Sequence, residues 1–254
     1  SLYPADLATR YQLTPAAIDG IGTAGNFGGN LIVHIGLLYT YKGPKAIMLL
    51  SLLVGTPAWL ALYAAFTLVR LPYYALLAIG FLQGHAQAFS DCAIVPLMIS
   101  LFPEHRGRVC GICKSLVGLS GALNVQLYLG AFQATPDAFN TSFLLFIAGE
   151  WLFISTLGIA AFRTLPPAKH DSAQVARSRS WLDRALVVVV VLAVLLLVID
   201  VTPHDAVATK CFTALIMTVF ALLVGFFATR ADVVQWQQGP AAGAPLLVGT
   251  PAWL

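Results

Sequence analysis

The chain has too little charge to cover a surface that faces water. Of its 254 residues, 10% are charged and 59% are hydrophobic, whereas a soluble globular domain carries roughly a quarter charged residues. Most of the molecular surface must therefore face lipid. The length fits about seven to eight membrane helices of some 20 residues each.

Seven apolar stretches are long enough to cross a bilayer. A lipid-exposed segment must satisfy its own backbone hydrogen bonds, and the sequence lacks the period-2 alternation of a membrane β-barrel, so we expect every stretch to be a helix. The predicted fold is all-α, a multi-pass transmembrane helical bundle. The predicted spans are 16–40, 46–68, 72–101, 108–133, 141–163, 183–201 and 207–229.

The lysine and arginine residues mark one side of the membrane. If "YKGPK" at 41–45 is cytoplasmic, eleven of the 14 basic residues fall inside or at the inner edge, and only Arg10, Arg70 and Lys210 fall outside. Cytoplasmic loops are enriched in lysine and arginine. The N-terminus of the chain is therefore predicted to lie outside and the C-terminal tail in the cytoplasm.

Polar side chains at membrane depth are costly, and here they fall on two helical faces. Asn26 and Asn30 lie four residues apart in the first span, and Gln87 and Asp91 have the same spacing in the third. Each face is interpreted as the wall of a hydrated cavity. The alternatives are that the first face is helix-packing contact and that Asp91 pairs with a basic residue of a neighbouring helix.

Three further polar residues lie in the fourth and fifth spans. Asn124 is deep in its span and joins the candidate binding residues. Lys114 lies near the inner edge and is expected to extend its amine toward the headgroups. Glu150 lies near the middle of the fifth span, where an acid either relays protons or is protonated and hydrogen-bonded to a neighbouring helix.

No motif points to bond chemistry. Cys110 and Cys113 form a C-x-x-C pattern, but a zinc site needs four ligands and a second Cys/His pair at suitable spacing is missing from the sequence. The basic residues follow the membrane edge and lack the aromatic-interleaved patch of a nucleic-acid interface. We therefore expect no metal, no cofactor, no enzymatic activity and no nucleic-acid partner.

Two sets of segments resemble a known transporter family. "GLLYTYKGPKA" at 36–46 resembles the G-x-L-x-D-R-x-G-R-K loop of major facilitator superfamily transporters; Thr40 and Tyr41 replace the acid and the arginine of that pattern, while Gly36, Gly43 and Lys45 match it. "GTAGNFGGN" (22–30), "FPEHRGRVCGICKSLVGLSGA" (102–122), "QLYLGAF" (126–132) and "SFLLFIAGE" (142–150) resemble the nodulin-like branch of the superfamily.

The resemblance implies a partial major facilitator fold. Residues 1–164 would be helices two to six of the first six-helix bundle, 165–182 a cytoplasmic linker, 183–230 two further membrane helices, and 231–254 a disordered tail. The first helix would be largely missing, and the second half of the transporter missing altogether.

The same resemblance implies secondary active transport of a small solute or ion by alternating access, with that solute and the lipid bilayer as partners. In the superfamily, helices one, two, four and five line the central cavity, which favours Asp91 over Glu150 as the proton-coupling group. A non-transporting membrane sensor or scaffold, or an inactive transporter fragment, is the alternative. The implied solute-binding residues are Asn26, Asn30, Gln87, Asp91 and Asn124, and the implied gating and topology residues are Gly36, Gly43, Lys45, Glu104, Arg106 and Arg108.

Overall fold

Helices joined by short turns make up the structure, a computed structural model that describes residues 4–133, 139–162, 172–201 and 209–218. No strand occurs in these ranges. The helices are α1 (Pro4–Tyr11), α2 (Pro15–Asn30), α3 (Val33–Thr67), α4 (Tyr73–Leu101), α5 (Arg106–Leu127), α6 (Ser142–Ala161) and α7 (Ser172–Val201), and residues 209–218 are also helical.

Within the part of the chain that the structure describes, four helical stretches are long and apolar enough to cross a membrane: Pro15–Thr67, Pro103–Phe132, Ser142–Ala160 and Arg179–Ile199. The first has 53 residues, enough for two crossings at about 20 residues each. Helix α4 has 29 residues and is long enough to cross a membrane. Polar side chains along one of its faces lower its mean hydropathy, so it is not among these four stretches. The chain is therefore an all-α membrane protein, as predicted.

The first predicted span, 16–40, is not one helix. Helix α2 begins at Pro15, where the side chain of Thr14 accepts a hydrogen bond from the Ala17 amide at 3.3 Å, and it ends at Asn30. Leu31 and Ile32 then leave helical conformation before α3 starts. Nothing in the two apolar residues signals this break.

A kink divides α3 where the sequence predicted a loop. Gly43 has φ 75° and ψ 176°, a conformation that glycine adopts without the steric cost that a side chain brings. Pro44 follows and cannot donate a backbone hydrogen bond. A helical segment of residues 33–42, termed the connecting segment, therefore lies between the break after α2 and the kink at Gly43.

Helices α2 and α4 approach each other at backbone distance. A side-chain carbon placed on Gly28 would collide with the carbonyl oxygen of Phe81, and one placed on Gly84 would collide with the carbonyl oxygen of Gly25. Small residues permit such an approach between membrane helices. The contact is in line with the alternative that the first polar face takes part in helix packing.

Helix α4 also packs extensively against α3, and α3 in turn packs against α6. Ser51 of α3 donates to the Ala86 carbonyl at 2.9 Å and lies 2.7 Å from the Ser90 hydroxyl. The indole of Trp151 on α6 donates to the Ser51 carbonyl at 3.1 Å. Polar contacts thus join three membrane helices at one level.

Helix α7 packs against α5 through one face. Leu182, Val189 and Leu192 are buried on that face, while Val187, Val194 and Leu197 are exposed on the other. An apolar face without a protein partner suits contact with lipid acyl chains. Helix α7 also starts at Ser172, inside the predicted linker; the predicted tail at 231–254 and most of the last predicted span lie outside the described residues.

Substituting Gly28 by alanine is expected to destabilise the protein by about 1–3 kcal/mol, because the added methyl group forces α2 away from α4. Gly22→Ala is the matched control. Gly22 lies on the same helix and has no atom within 4 Å of the position its side chain would take, so alanine there should be neutral or slightly stabilising. Unfolding midpoints in detergent, followed by circular dichroism, measure both. Equal midpoints for the two variants would contradict the proposed packing.

Candidate functional site

A cavity of about 1220 Å³ opens between α2 and α4. Four of the five predicted binding residues, Asn26, Asn30, Gln87 and Asp91, line it. The two stripes lie on one cavity because i, i+4 spacing gives each helix a single polar face and the glycine contact turns these faces toward each other. Other polar lining groups are Asp19, Thr23, Gln83, Trp59 and Trp151.

Asn124, the fifth predicted binding residue, is not among the residues that line this cavity. It lies half-buried on α5, and Gly121 is the residue that α5 contributes to the wall. The two positions are three residues apart. A small rotation of α5 about its own axis therefore decides whether Gly121 or Asn124 faces the cavity. The sequence of α5 alone does not predict this rotation.

Asp91 is held by an ion pair with Lys114. The Nζ atom of Lys114 on α5 donates to Oδ2 of Asp91 on α4 at 2.9 Å. The expectation that the Lys114 amine extends to the headgroups is wrong, and the alternative of a basic partner for Asp91 is correct. The two side chains remain 57% and 27% exposed. The cavity wall therefore presents a neutral pair in place of an isolated carboxylate.

The remaining polar groups of the wall differ in how far their hydrogen bonds are satisfied. The Asn30 side chain donates to the Asn26 carbonyl at 2.8 Å, within its own helix. The Trp59 indole nitrogen and the Gln83 amide nitrogen are buried and have no hydrogen-bond partner among the described residues. Buried donors of this kind usually have a partner. Both residues border the cavity.

Glu150 does not line the cavity. It is half-buried on α6, next to Trp151, which does. Its predicted proton-coupling role gains no geometric support from the described residues.

The predicted gating residues are spread over two turns. Gly36 and Lys45 are exposed on α3, on either side of the Gly43 kink. Glu104 is exposed in the 3₁₀ turn Pro103–His105 that separates α4 from α5. Together these positions surround one end of the bundle.

The two arginines that open α5 have separate partners. Arg106 Nε donates to the Pro103 carbonyl at 3.1 Å. Arg108 Nε lies 3.1 Å from Oδ1 of Asp183 on α7. Arg108 therefore ties the first part of the chain to the helix that follows the predicted linker. The sequence did not identify Asp183 as the partner of Arg108.

Sequence reasoning also missed a contact between two histidines. His34 at the start of α3 and His85 on α4 have their Nε2 atoms 3.1 Å apart, and Nδ1 of His85 lies 2.9 Å from the Gly28 carbonyl. Both residues lie within predicted spans, 16–40 and 72–101, but neither was a candidate site residue. Their pairing depends on the break after α2, which no local pattern marks.

A family model described as Nodulin-like matches residues 1–228 of the chain. Comparison with curated proteins and with solved structures finds no match.

Removing the two charges of the Asp91–Lys114 pair one at a time is expected to cost more stability in total than removing both charges together. Asp91→Asn and Lys114→Gln each leave one charge without its partner, so the double variant should lose less stability than the sum of the singles. Because both side chains are partly exposed, the coupling free energy should be about 0.5–1 kcal/mol. Unfolding midpoints of the four proteins in nanodiscs measure it, and strictly additive losses would show that the pair contributes nothing.

Proposed function

The chain belongs to the nodulin-like family, as its sequence predicts, and we propose that it acts in secondary active transport of a small polar solute or ion across a membrane. The observation that carries the proposal is the cavity between α2 and α4. Two polar faces meet there inside a bundle whose outer surface is apolar. Polar groups at membrane depth are rare and costly, so their convergence on one cavity favours a solute pathway over simple packing.

The chemistry of the wall favours a solute with hydrogen-bond acceptors. Trp59 and Gln83 each have a buried N–H group without a partner among the described residues. The carboxylate of Asp91 is neutralised by Lys114, so the wall does not select strongly for a cation. An uncharged polar metabolite, or an anion that competes for Lys114, fits these groups best.

The Asp91–Lys114 pair joins α4 to α5, and this gives the proposed transport cycle a point of control. Alternating access requires helices on either side of a central site to move relative to each other. A proton on Asp91 removes the negative charge that holds Lys114, and a solute anion competes for the same amine. In either case occupation of the cavity weakens the tie between the two helices.

The proposed orientation places the Gly43 kink and the Pro103–His105 turn at the cytoplasmic side. It is supported by the concentration of basic residues at these two turns. The N-terminus then lies outside and the residues after α7 return toward the cytoplasm.

Replacing Asp91 by asparagine is expected to reduce uptake at least tenfold, or to remove the dependence of uptake on a pH gradient. The reason is that the variant lacks the carboxylate whose bond to Lys114 weakens when the cavity is occupied. Uptake into proteoliposomes is screened with panels of organic acids, neutral metabolites and ions, with and without a pH gradient. The double variant Asp91→Asn with Lys114→Gln should recover stability without recovering uptake. Recovery of both would assign the pair a purely structural role.

A second comparison separates the cavity from the rest of the bundle. Thr23→Val removes a hydroxyl from the cavity wall, whereas Thr156→Val removes one from the exposed side of α6, where it bonds to the Leu152 carbonyl. The first should raise the half-saturating solute concentration severalfold, and the second should leave it unchanged. Absence of saturable uptake for every solute tested would favour the sensor or scaffold alternative.

A further inference from the structure

We propose that His34 and His85 form a binding site for a single proton, and that this proton fastens the connecting segment, residues 33–42, to the α2–α4 pair. The site is separate from the solute cavity, because neither histidine lines it. The inference concerns a ligand, the proton, and does not depend on whether the chain transports a solute.

The hydrogen-bond geometry fixes the protonation of His85. Its Nδ1 atom lies 2.9 Å from the carbonyl oxygen of Gly28, and a carbonyl only accepts hydrogen bonds. Nδ1 of His85 therefore carries the hydrogen. In the neutral ring, Nε2 is then left as an acceptor.

The partner ring must donate. Nε2 of His34 lies 3.1 Å from Nε2 of His85, and since the latter is an acceptor, the hydrogen belongs to His34. The ring centroids are 5.0 Å apart and the planes are inclined by 21°. The nitrogens are closer than the centroids, so the rings meet through their Nε2 edges, as a hydrogen bond requires.

One proton can be added without rearrangement. His34 is exposed at the protein surface, and the proposed proton acceptor is its Nδ1 atom, which takes the proton from a hydronium ion that leaves as water. The Nε2–H group of His34 continues to donate to His85, and the bond becomes charge-assisted and stronger. A second proton would place N–H groups face to face across 3.1 Å and break the contact.

Apart from each other, the two histidines contact uncharged groups among the described residues. Their ring and hydrogen-bond partners there are Gly28, Phe81 and Phe89. Asp91 on the same helix as His85 is bound to Lys114. The other ionisable groups on the helices packed around the pair are Asp19 on α2, Tyr39, Tyr41, Lys42, Lys45 and Tyr63 on α3, Tyr73, Tyr74 and Cys92 on α4, and Glu150 on α6.

The two histidine rings belong to different parts of the structure. His85 is 9% exposed and tied to α2 through Gly28, so it belongs to the closely packed α2–α4 pair. His34 belongs to the connecting segment, which has a backbone break on either side. Proton binding therefore strengthens a bond between the closely packed α2–α4 pair and a helical segment that is bounded by non-helical backbone at Leu31 and Gly43.

The test uses the whole chain in nanodiscs with ¹⁵N-labelled histidine, between about pH 8 and about pH 6, the range in which histidine changes charge. The expected result is one added proton on the pair, with hydrogen-bond coupling between the two Nε2 atoms retained after it binds. Two rings that each gain a proton independently, or no coupling between the Nε2 atoms at any pH, would overturn the proposal. His105→Gln, in the Pro103–His105 turn, is the control and should leave both signals unchanged.

A second measurement separates proton binding from mere contact. His34→Gln keeps an N–H donor for His85 but cannot hold a proton, whereas His34→Phe removes the donor. In the wild type, amide-exchange protection of residues 33–42, corrected for the intrinsic effect of pH, should rise about fivefold on acidification. It should be independent of pH in the glutamine variant and lower throughout in the phenylalanine variant. A pH-dependent rise of wild-type size in His34→Gln would overturn the proposal, whatever the uptake assay finds.

Discussion

The close approach of α2 and α4 is the contact on which the rest of the structure depends. It exists because glycines on both helices leave room for backbone against backbone. It turns the Asn26 and Asn30 stripe toward the Gln87 and Asp91 stripe and so creates the cavity. It also brings the Gly28 carbonyl within reach of His85, so packing and hydrogen bonding are set by the same residue.

Lipid surroundings explain how the polar groups are arranged. A charge or an unsatisfied donor is costly in the hydrocarbon region, and here Asp91 has Lys114, Ser51 has Ala86 and Ser90, and Trp151 has the Ser51 carbonyl. These contacts join four different helices. Among the described residues, the exceptions include the buried nitrogens of Trp59 and Gln83, which border the cavity between α2 and α4, and the buried oxygens of Thr56 and Gln126, which do not.

The sequence predicts what depends on local periodicity and fails where relative helix placement decides. The polar stripes follow from i, i+4 spacing within one helix, and Gly43 with Pro44 signals the kink. Lys114 and Asp91 lie 23 residues apart and His34 and His85 lie 51 apart, so their pairing requires the packed helices. The orientation of Asn124 depends on the rotation of α5, and the break at Leu31 and Ile32 occurs in apolar residues that favour continuation of the helix.

The connecting segment has mechanical properties that neither flanking helix shares. Ten helical residues form a rod about 15 Å long, with a joint at each end and Ile35, which is fully buried, acting as a pivot near the first joint. Lys42 lies seven residues beyond Ile35, about 10 Å along the helix, so turning the rod about Ile35 by about 20° would displace Lys42 by about 4 Å. Through this geometry, the proposed proton at His34 would act on the position of Tyr41 and Lys42 at the edge of the bundle.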